Sequence, residues 1–93
     1  MKAIWNSAVI ADSEDVVVLE GSNYFPPESV KTEYLKKSDR TSVCPWKGEA
    51  TYYHVIVDGV TVMDAAWSYS NPKPQVGDIR NRIAFLKGVE LMP

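Results

Sequence analysis

Two β-rich runs, Thr51-Tyr52-Tyr53-His54-Val55-Ile56-Val57 and Val60-Thr61-Val62, are separated by Asp58-Gly59 alone, and this constrains the chain more than any other feature. Asp-Gly supplies the positive φ angles of a two-residue hairpin turn. The β-branched and aromatic residues on either side fit a pleated surface. The second run continues through Ala65-Ala66-Trp67-Ser68-Tyr69, so a long antiparallel hairpin is expected. With a two-residue turn, Tyr52 faces Ala65, His54 faces Met63 and Ala50 faces Trp67. Alternation then puts Tyr52, His54, Met63, Trp67 and Tyr69 on one face. Tyr53, Val55, Val57, Val62 and Ala66 share the other face with Asp64, its one polar exception. A longer loop through Met63 would alter this register.

The rest of the chain reads in the same way. Ala3-Ile4-Trp5 and Ala8-Val9-Ile10-Ala11 flank Asn6-Ser7, a second hairpin signal, although Ser fits that turn less well than Gly. Val16-Val17-Val18-Leu19-Glu20, ending at Gly21, predicts a third strand, and its unbroken apolar run predicts burial on both faces. Pro26-Pro27-Glu28-Ser29-Val30 offers a proline where a helix can start, but only a helical turn fits before Tyr34-Leu35. Val76 to Arg82 reads as a short helix and Ile83-Ala84-Phe85-Leu86 as a returning edge strand. The expected fold class is mainly β, a single domain over residues 1–93 with one or two short helical turns.

At 93 residues the chain has room for one core and one site. Hydrophobic residues make up 45% and charged residues 24%, which excludes a disordered or membrane-embedded class. Ten Lys/Arg stand against twelve Asp/Glu, for a net charge of −2, and the basic residues are scattered apart from Lys36-Lys37 and Arg80/Arg82. A nucleic-acid groove needs clustered cations, so no nucleic-acid partner is expected. The start of the chain, Met1-Lys2-Ala3-Ile4-Trp5-Asn6, carries no apolar stretch of signal-peptide or membrane-helix length; a cytoplasmic protein without a membrane partner is expected. The single cysteine allows no internal disulfide, which fits a reducing compartment.

Chemistry-bearing residues are few. Cys44 precedes Pro45 and stands three residues before Lys47, whose charge would lower the thiol pKa if the turn brought them together. The simpler reading is a cysteine acting as a small hydrophobe. His54 is the one histidine available as its base, and a structural role in the strand is the simpler reading there too. One Cys and one His do not meet the ligand spacing of zinc, and the acidic residues follow no calcium-loop pattern, so neither metal nor cofactor is expected. Lys47-Gly48 is similar to part of a phosphate-binding loop but lacks its upstream glycine and its hydroxyl residue. Trp46, Tyr52, Trp67 and Tyr69 carry more weight. On or beside one hairpin they can wall a pocket with apolar sides and polar tips, suited to planar or cationic ligands. The alternative is that the rings, Trp5 included, fill the core.

Nearly the whole chain resembles the bacterial domain-of-unknown-function 427 family, which some family catalogues label nucleotidyltransferase-like. The resemblance rests on Ala3-Ile4-Trp5-Asn6, Tyr24-Phe25-Pro26-Pro27-Glu28-Ser29-Val30, Cys44-Pro45-Trp46-Lys47-Gly48, Asp64-Ala65-Ala66-Trp67, Pro72 with Pro74, and Ile83-Ala84-Phe85. Ser7 departs from the glycine usual in that family, and Ser68 and Ser70 from larger or proline residues. The resemblance implies a compact, strongly bent antiparallel sheet or small open barrel, and brings no established reaction. Metal-dependent nucleotidyl transfer needs paired carboxylates. The nearest pair, Asp58 and Asp64, reads instead as a turn residue and a cap at the start of a strand.

Three readings follow. The first is a binding module for a small molecule or peptide end, with Cys44, Trp46, Lys47, Tyr52, Trp67 and Tyr69 around the ligand. The second is an enzyme using Cys44 or a carboxylate such as Glu28 in that pocket. The third is an interaction domain that offers an aromatic face or a free edge strand to a partner or to its own copy as a homodimer.

Overall fold

The computed structural model describes residues 1–86 and 88–93. The Asp58-Gly59 turn forms as its sequence dictates, with φ of 51° and 76°. It joins β6 (Gly48–Val57) to β7 (Val60–Ser68). Asn6-Ser7, at φ 48° and 65°, joins β1 (Lys2–Trp5) to β2 (Ala8–Asp12) in the same fashion. A third turn of this kind, Glu20-Gly21 at 51° and 77°, joins β3 (Val17–Leu19) to β4 (Ser22–Tyr24). Two left-handed residues per turn match the right-handed twist of the flanking strands.

Three further strands complete the sheets: β5 (Leu35–Cys44), β8 (Ile83–Phe85) and β9 (Glu90–Met92). The described residues make three antiparallel sheets, β2-β1-β9, β3-β4 and β5-β6-β7-β8, with none closed into a barrel. Among the described residues, helical structure is limited to 3-10 turns at Pro27–Ser29, Thr32–Tyr34 and Pro74–Ile79. The first matches the expected turn after Pro26. The last replaces the helix expected over Val76 to Arg82, because Val76 departs from helical geometry at φ −124° and Asn81 turns left-handed. The radius of gyration is 12.4 Å, against about 12 Å for a compact globule of this length.

The run Val16–Glu20 is not buried on both faces: Val18 is 65% exposed, and Val17 and Leu19 are half-buried. Its strand pairs only with β4, in a two-stranded ribbon with one side to the body and the other to solvent. Strand β5 has apolar residues only at its ends, Leu35 and Val43-Cys44, and its middle runs Lys36-Lys37-Ser38-Asp39-Arg40-Thr41-Ser42. It lies at the edge of the four-stranded sheet, where charge blocks pairing with other chains.

The register of the long hairpin corrects the expected one. Val57 faces Val60 and Val55 faces Val62, as a two-residue turn requires, but Tyr53 then faces Ala66 and Tyr52 faces Trp67. Met63-Asp64-Ala65 thus stand against His54 alone. On the other side of β6, Lys37 faces Tyr53 and Thr41 faces Thr51, so Ser38-Asp39-Arg40 stand against Tyr52 alone. Each bulge adds two residues, and a two-residue shift returns every later side chain to its original face. The aromatic face therefore persists beyond the bulges.

The sheet separates two cores. On the aliphatic side Val55, Val57, Ala66 and Phe85 pack with Phe25 and Ile10. On the other side Ala50, Tyr69 and Ala84 pack with Tyr24, Val76 and Ile79, and Tyr52 and Trp67 lie against them half-buried. Trp5 is half-buried against the first core. The segment after β7 docks on the Cys44–Gly48 turn, where the Lys73 N–H donates to the Lys47 carbonyl at 3.0 Å. Gly48, at φ 115°, allows this approach: a Cβ there would stand 3.3 Å from the Asn71 carbonyl oxygen.

Candidate functional site

Tyr52 on β6 and Trp67 on β7 are direct cross-strand partners, their rings 6.3 Å apart and tilted by 43°. Tyr24 on β4 and Tyr69 just after β7 form a second tilted pair at 6.5 Å. The polar tips tie the rings together. The Trp67 indole Nε1 donates to the Tyr24 hydroxyl at 3.2 Å, and the Tyr52 hydroxyl shares a 3.0 Å hydrogen bond with Ser42 Oγ. These four rings, with Ser22, Arg40, Lys47, Met63, Asp64 and Leu86, line a cleft of about 440 Å³. Its walls are oriented before any ligand arrives.

Charged groups mark the cleft. The Lys47 ammonium lies 2.8 Å from Glu20 Oε1, with the Trp46 and Tyr69 ring centroids 5.5 and 5.6 Å away. Burial pushes the Lys47 pKa down, but the Glu20 hydrogen bond, with Tyr24 and Tyr69 nearby, outweighs it and leaves the pKa above 10.5. Burial raises the Tyr69 phenol above 10.0, and Lys47 opposes that shift. In both cases the folded chain holds its proton to higher pH than the unfolded chain, so the associated stability is intact below about pH 10 and falls as pH rises through the folded pKa values. Urea unfolding from pH 8 to 11.5 is therefore expected to show a loss above pH 10 that Glu20→Gln makes shallower. Equal slopes in the two proteins would remove the ion pair from this account.

The paired bulges build the other polar group. Asp64 has φ 53°, an uncommon value for a residue with a side chain, which asparagine and aspartate tolerate best. Its Oδ1 accepts from Ser38 Oγ at 2.5 Å, and its N–H donates to His54 Nδ1 at 3.0 Å. At 3.7 Å, Asp64 Oδ1 lies beyond hydrogen-bond reach of the same nitrogen. Ser38, His54 and Asp64 are therefore close without forming a catalytic triad, since Ser38 bonds the carboxylate and not the imidazole. Arg40 stacks its guanidinium 4.7 Å from the Tyr52 centroid and reaches Asp64 Oδ2 at only 3.9 Å. Its donors remain largely open, with the side chain 59% exposed.

Of the residues proposed from sequence, Lys47, Tyr52, Trp67 and Tyr69 share the cleft lining, while Cys44 and Trp46 are not part of it. Cys44 is half-buried opposite Gly48, its carbonyl accepting from the Lys47 N–H, and Trp46 supports Lys47 from outside. His54 stands six residues along β6 from Gly48, or about 20 Å, so Cys44 and His54 do not meet. Glu28 is exposed on the Pro27–Ser29 turn and lines no part of the cleft. Asp58 is a turn residue as expected, but Asp64 is no strand cap: the bulge carries its carboxylate to the aromatic cleft. Arg40 and Asp64 were not among the expected site residues. Asp64's place as the lone charge on an aliphatic face was a usable signal, and Arg40 had none. Among the described residues no three His, Cys, Asp or Glu side chains are grouped to hold a metal ion, and no helix is long and apolar enough to cross a membrane.

The fold and cleft define a small β-domain with an aromatic-walled, mixed-charge cleft on one face of an open sheet. The family model described as Domain of unknown function (DUF427) matches residues 1–92, and the chain belongs to that family. No curated protein matches it.

Proposed function

We propose that the protein is a binding module for a small anionic ligand with a planar apolar body, held between Tyr52, Trp67 and Tyr69 with its anionic group at Arg40. One observation carries this reading: in a chain of net charge −2, the aromatic cleft is lined by two cations and one carboxylate. Lys47 is neutralised by Glu20 at 2.8 Å, whereas Arg40 is held by Asp64 only at 3.9 Å and keeps donors for a carboxylate or phosphate. Stacking the guanidinium on Tyr52 fixes it in place at little entropic cost. On this reading the protein is a single cytoplasmic domain that needs no metal or cofactor to bind. Cys44 and Glu28, outside the cleft, take no part.

Thermal unfolding against a panel of aromatic carboxylates, aryl phosphates and matched arylamines tests it. A ligand at about 100 times its dissociation constant adds about 2.7 kcal/mol, a midpoint rise of roughly 10–20 °C for a domain of this size. The anions are expected to raise the midpoint, the amines to leave it unchanged, and Arg40→Gln to abolish the rise. A panel in which amines act as strongly as anions, or in which Arg40→Gln changes nothing, contradicts the proposal.

A further inference from the structure

Asp64 puts a carboxylate beside the guanidinium that an anion would seek. One of its oxygens is engaged, since Oδ1 accepts from the Ser38 hydroxyl. The other, Oδ2, has no hydrogen-bond partner among the described residues and lies 3.9 Å from Arg40 Nη1, a distance at which neither charge satisfies the other. A ligand that brings only negative charge to Arg40 meets Oδ2 as a like charge. A ligand with a cation next to its anion is attracted on both sides.

The spacing of these two charges is set by the fold. The Arg40 N–H donates to Ser38 Oγ at 3.0 Å and the same hydroxyl donates to Asp64, so one buried serine ties the two bulges together. The Asp64 N–H is held in turn by His54 Nδ1, and the Arg40 guanidinium by the Tyr52 ring. Elsewhere in the cleft Lys47 is paired with Glu20, so the charges of the site cancel while its Arg40–Asp64 end stays polarised. Met63 and Leu86 line the same cleft although 65% and 44% exposed, which leaves an apolar rim for a ligand to cover.

We propose that the ligand of the cleft is a free aromatic α-amino acid, with its carboxylate on Arg40, its ammonium on Asp64 Oδ2 and its ring against Trp67, Met63 and Leu86. This rests on the anion-binding reading above and specifies its ligand, the amino acid's carboxylate being the anionic group. An α-amino acid carries both charges on one carbon. Arg40, carboxylate, ammonium and Asp64 then alternate in sign around a closed ring, and every neighbouring pair attracts. The zwitterion has no net charge, as the site has none. A cleft of about 440 Å³ is near the lower end of small-molecule sites, which suits a ligand of this size.

The test is calorimetric titration of the full chain, at low ionic strength, with L-tryptophan, L-tyrosine and L-phenylalanine. Each is paired with its des-amino acid, which lacks the ammonium, and with its decarboxylated amine. The expected result is that at least one amino acid binds at least tenfold more tightly than its des-amino acid, with no measurable binding of the amine. Arg40→Gln is expected to weaken both carboxylates at least tenfold. Asp64→Asn keeps an acceptor for Ser38 and a residue that tolerates the left-handed backbone, and thermal unfolding without ligand checks that it folds. It is expected to weaken the amino acid at least tenfold and to bind the des-amino acid as tightly as the wild type or more so, a crossover that a loosened fold does not produce. If the des-amino acids bind as tightly as the amino acids or bind alone, or if folded Asp64→Asn keeps the wild-type affinity for the amino acid, this inference falls and the anion-binding reading stands. If the amines bind as tightly as the amino acids, if binding ignores Arg40→Gln, or if nothing in the series binds, both fall.

Discussion

Phe25→Ala is expected to lower stability by about 3–5 kcal/mol, the cost of emptying a fully buried aromatic site. Phe25 is fully buried and meets Phe85 edge-on at 5.7 Å. Its backbone is the hydrogen-bonded link between the β3–β4 ribbon and the edge of the four-stranded sheet. Truncation leaves a ring-sized cavity at that junction, and close-packed surroundings collapse only partly into such a space. For a domain of this size the midpoint should fall by roughly 12–40 °C. Val18→Ala on the same ribbon removes a side chain that is 65% exposed and should cost no more than about 0.5 kcal/mol. Urea unfolding of both variants measures the contrast. A loss below 1 kcal/mol for Phe25→Ala would mean that the ribbon is not anchored through this ring.

Asp64→Ala should cost about 2.5–5 kcal/mol through two separable causes. Alanine at φ 53° is disfavoured by about 1–2 kcal/mol. Loss of the carboxylate leaves the buried Ser38 hydroxyl without its acceptor, worth about 1.5–3 kcal/mol for a bond to a charged group. Asp64→Gly relieves the backbone but not the hydroxyl, and Asp64→Asn tolerates the backbone and restores a weaker acceptor. The expected order of stability is Asp, then Asn, then Gly, then Ala. Equal stability of the Gly and Ala variants would show that the left-handed backbone at the bulge is not a constraint. A neutral Ala variant would show that the two bulges are not locked together through Ser38 and Asp64.

What the sequence disclosed and what it hid follow one physical division. Turns are local: Asn6-Ser7 and Asp58-Gly59 announce themselves because few residues accept two positive φ angles in succession. The Glu20-Gly21 turn carries a weaker form of that signal, absorbed into the strand expected to end there. Alternation is also local, and it brought Tyr52, Trp67 and Tyr69 to one face despite a wrong register, because the missed bulge added an even number of residues. The bulges themselves left one trace, the lone charge of Asp64 on an otherwise apolar face. Ser38-Asp39-Arg40 and Met63-Asp64-Ala65 contain no glycine, and they are fixed by what stands across from them on β6. Arg40 and Asp64 reach the cleft only through those bulges, so of its charged groups Lys47 alone was named from the sequence, whereas three of its four rings were. Strand β5 was hidden for a related reason, since an edge strand under selection against aggregation resembles a loop in its composition.

Whether this cleft takes planar anions through Arg40 is read from the indole Nε1–H NMR signal of Trp67. It is assigned among the three tryptophans by Trp67→Phe and followed during titration with 2-naphthoate and with 2-naphthylmethylamine. A saturable shift is expected with the carboxylate, with at least tenfold weaker affinity in Arg40→Gln and no saturable shift with the amine. An indole signal that ignores the carboxylate, or that follows the amine equally well in both proteins, would contradict anion binding through Arg40.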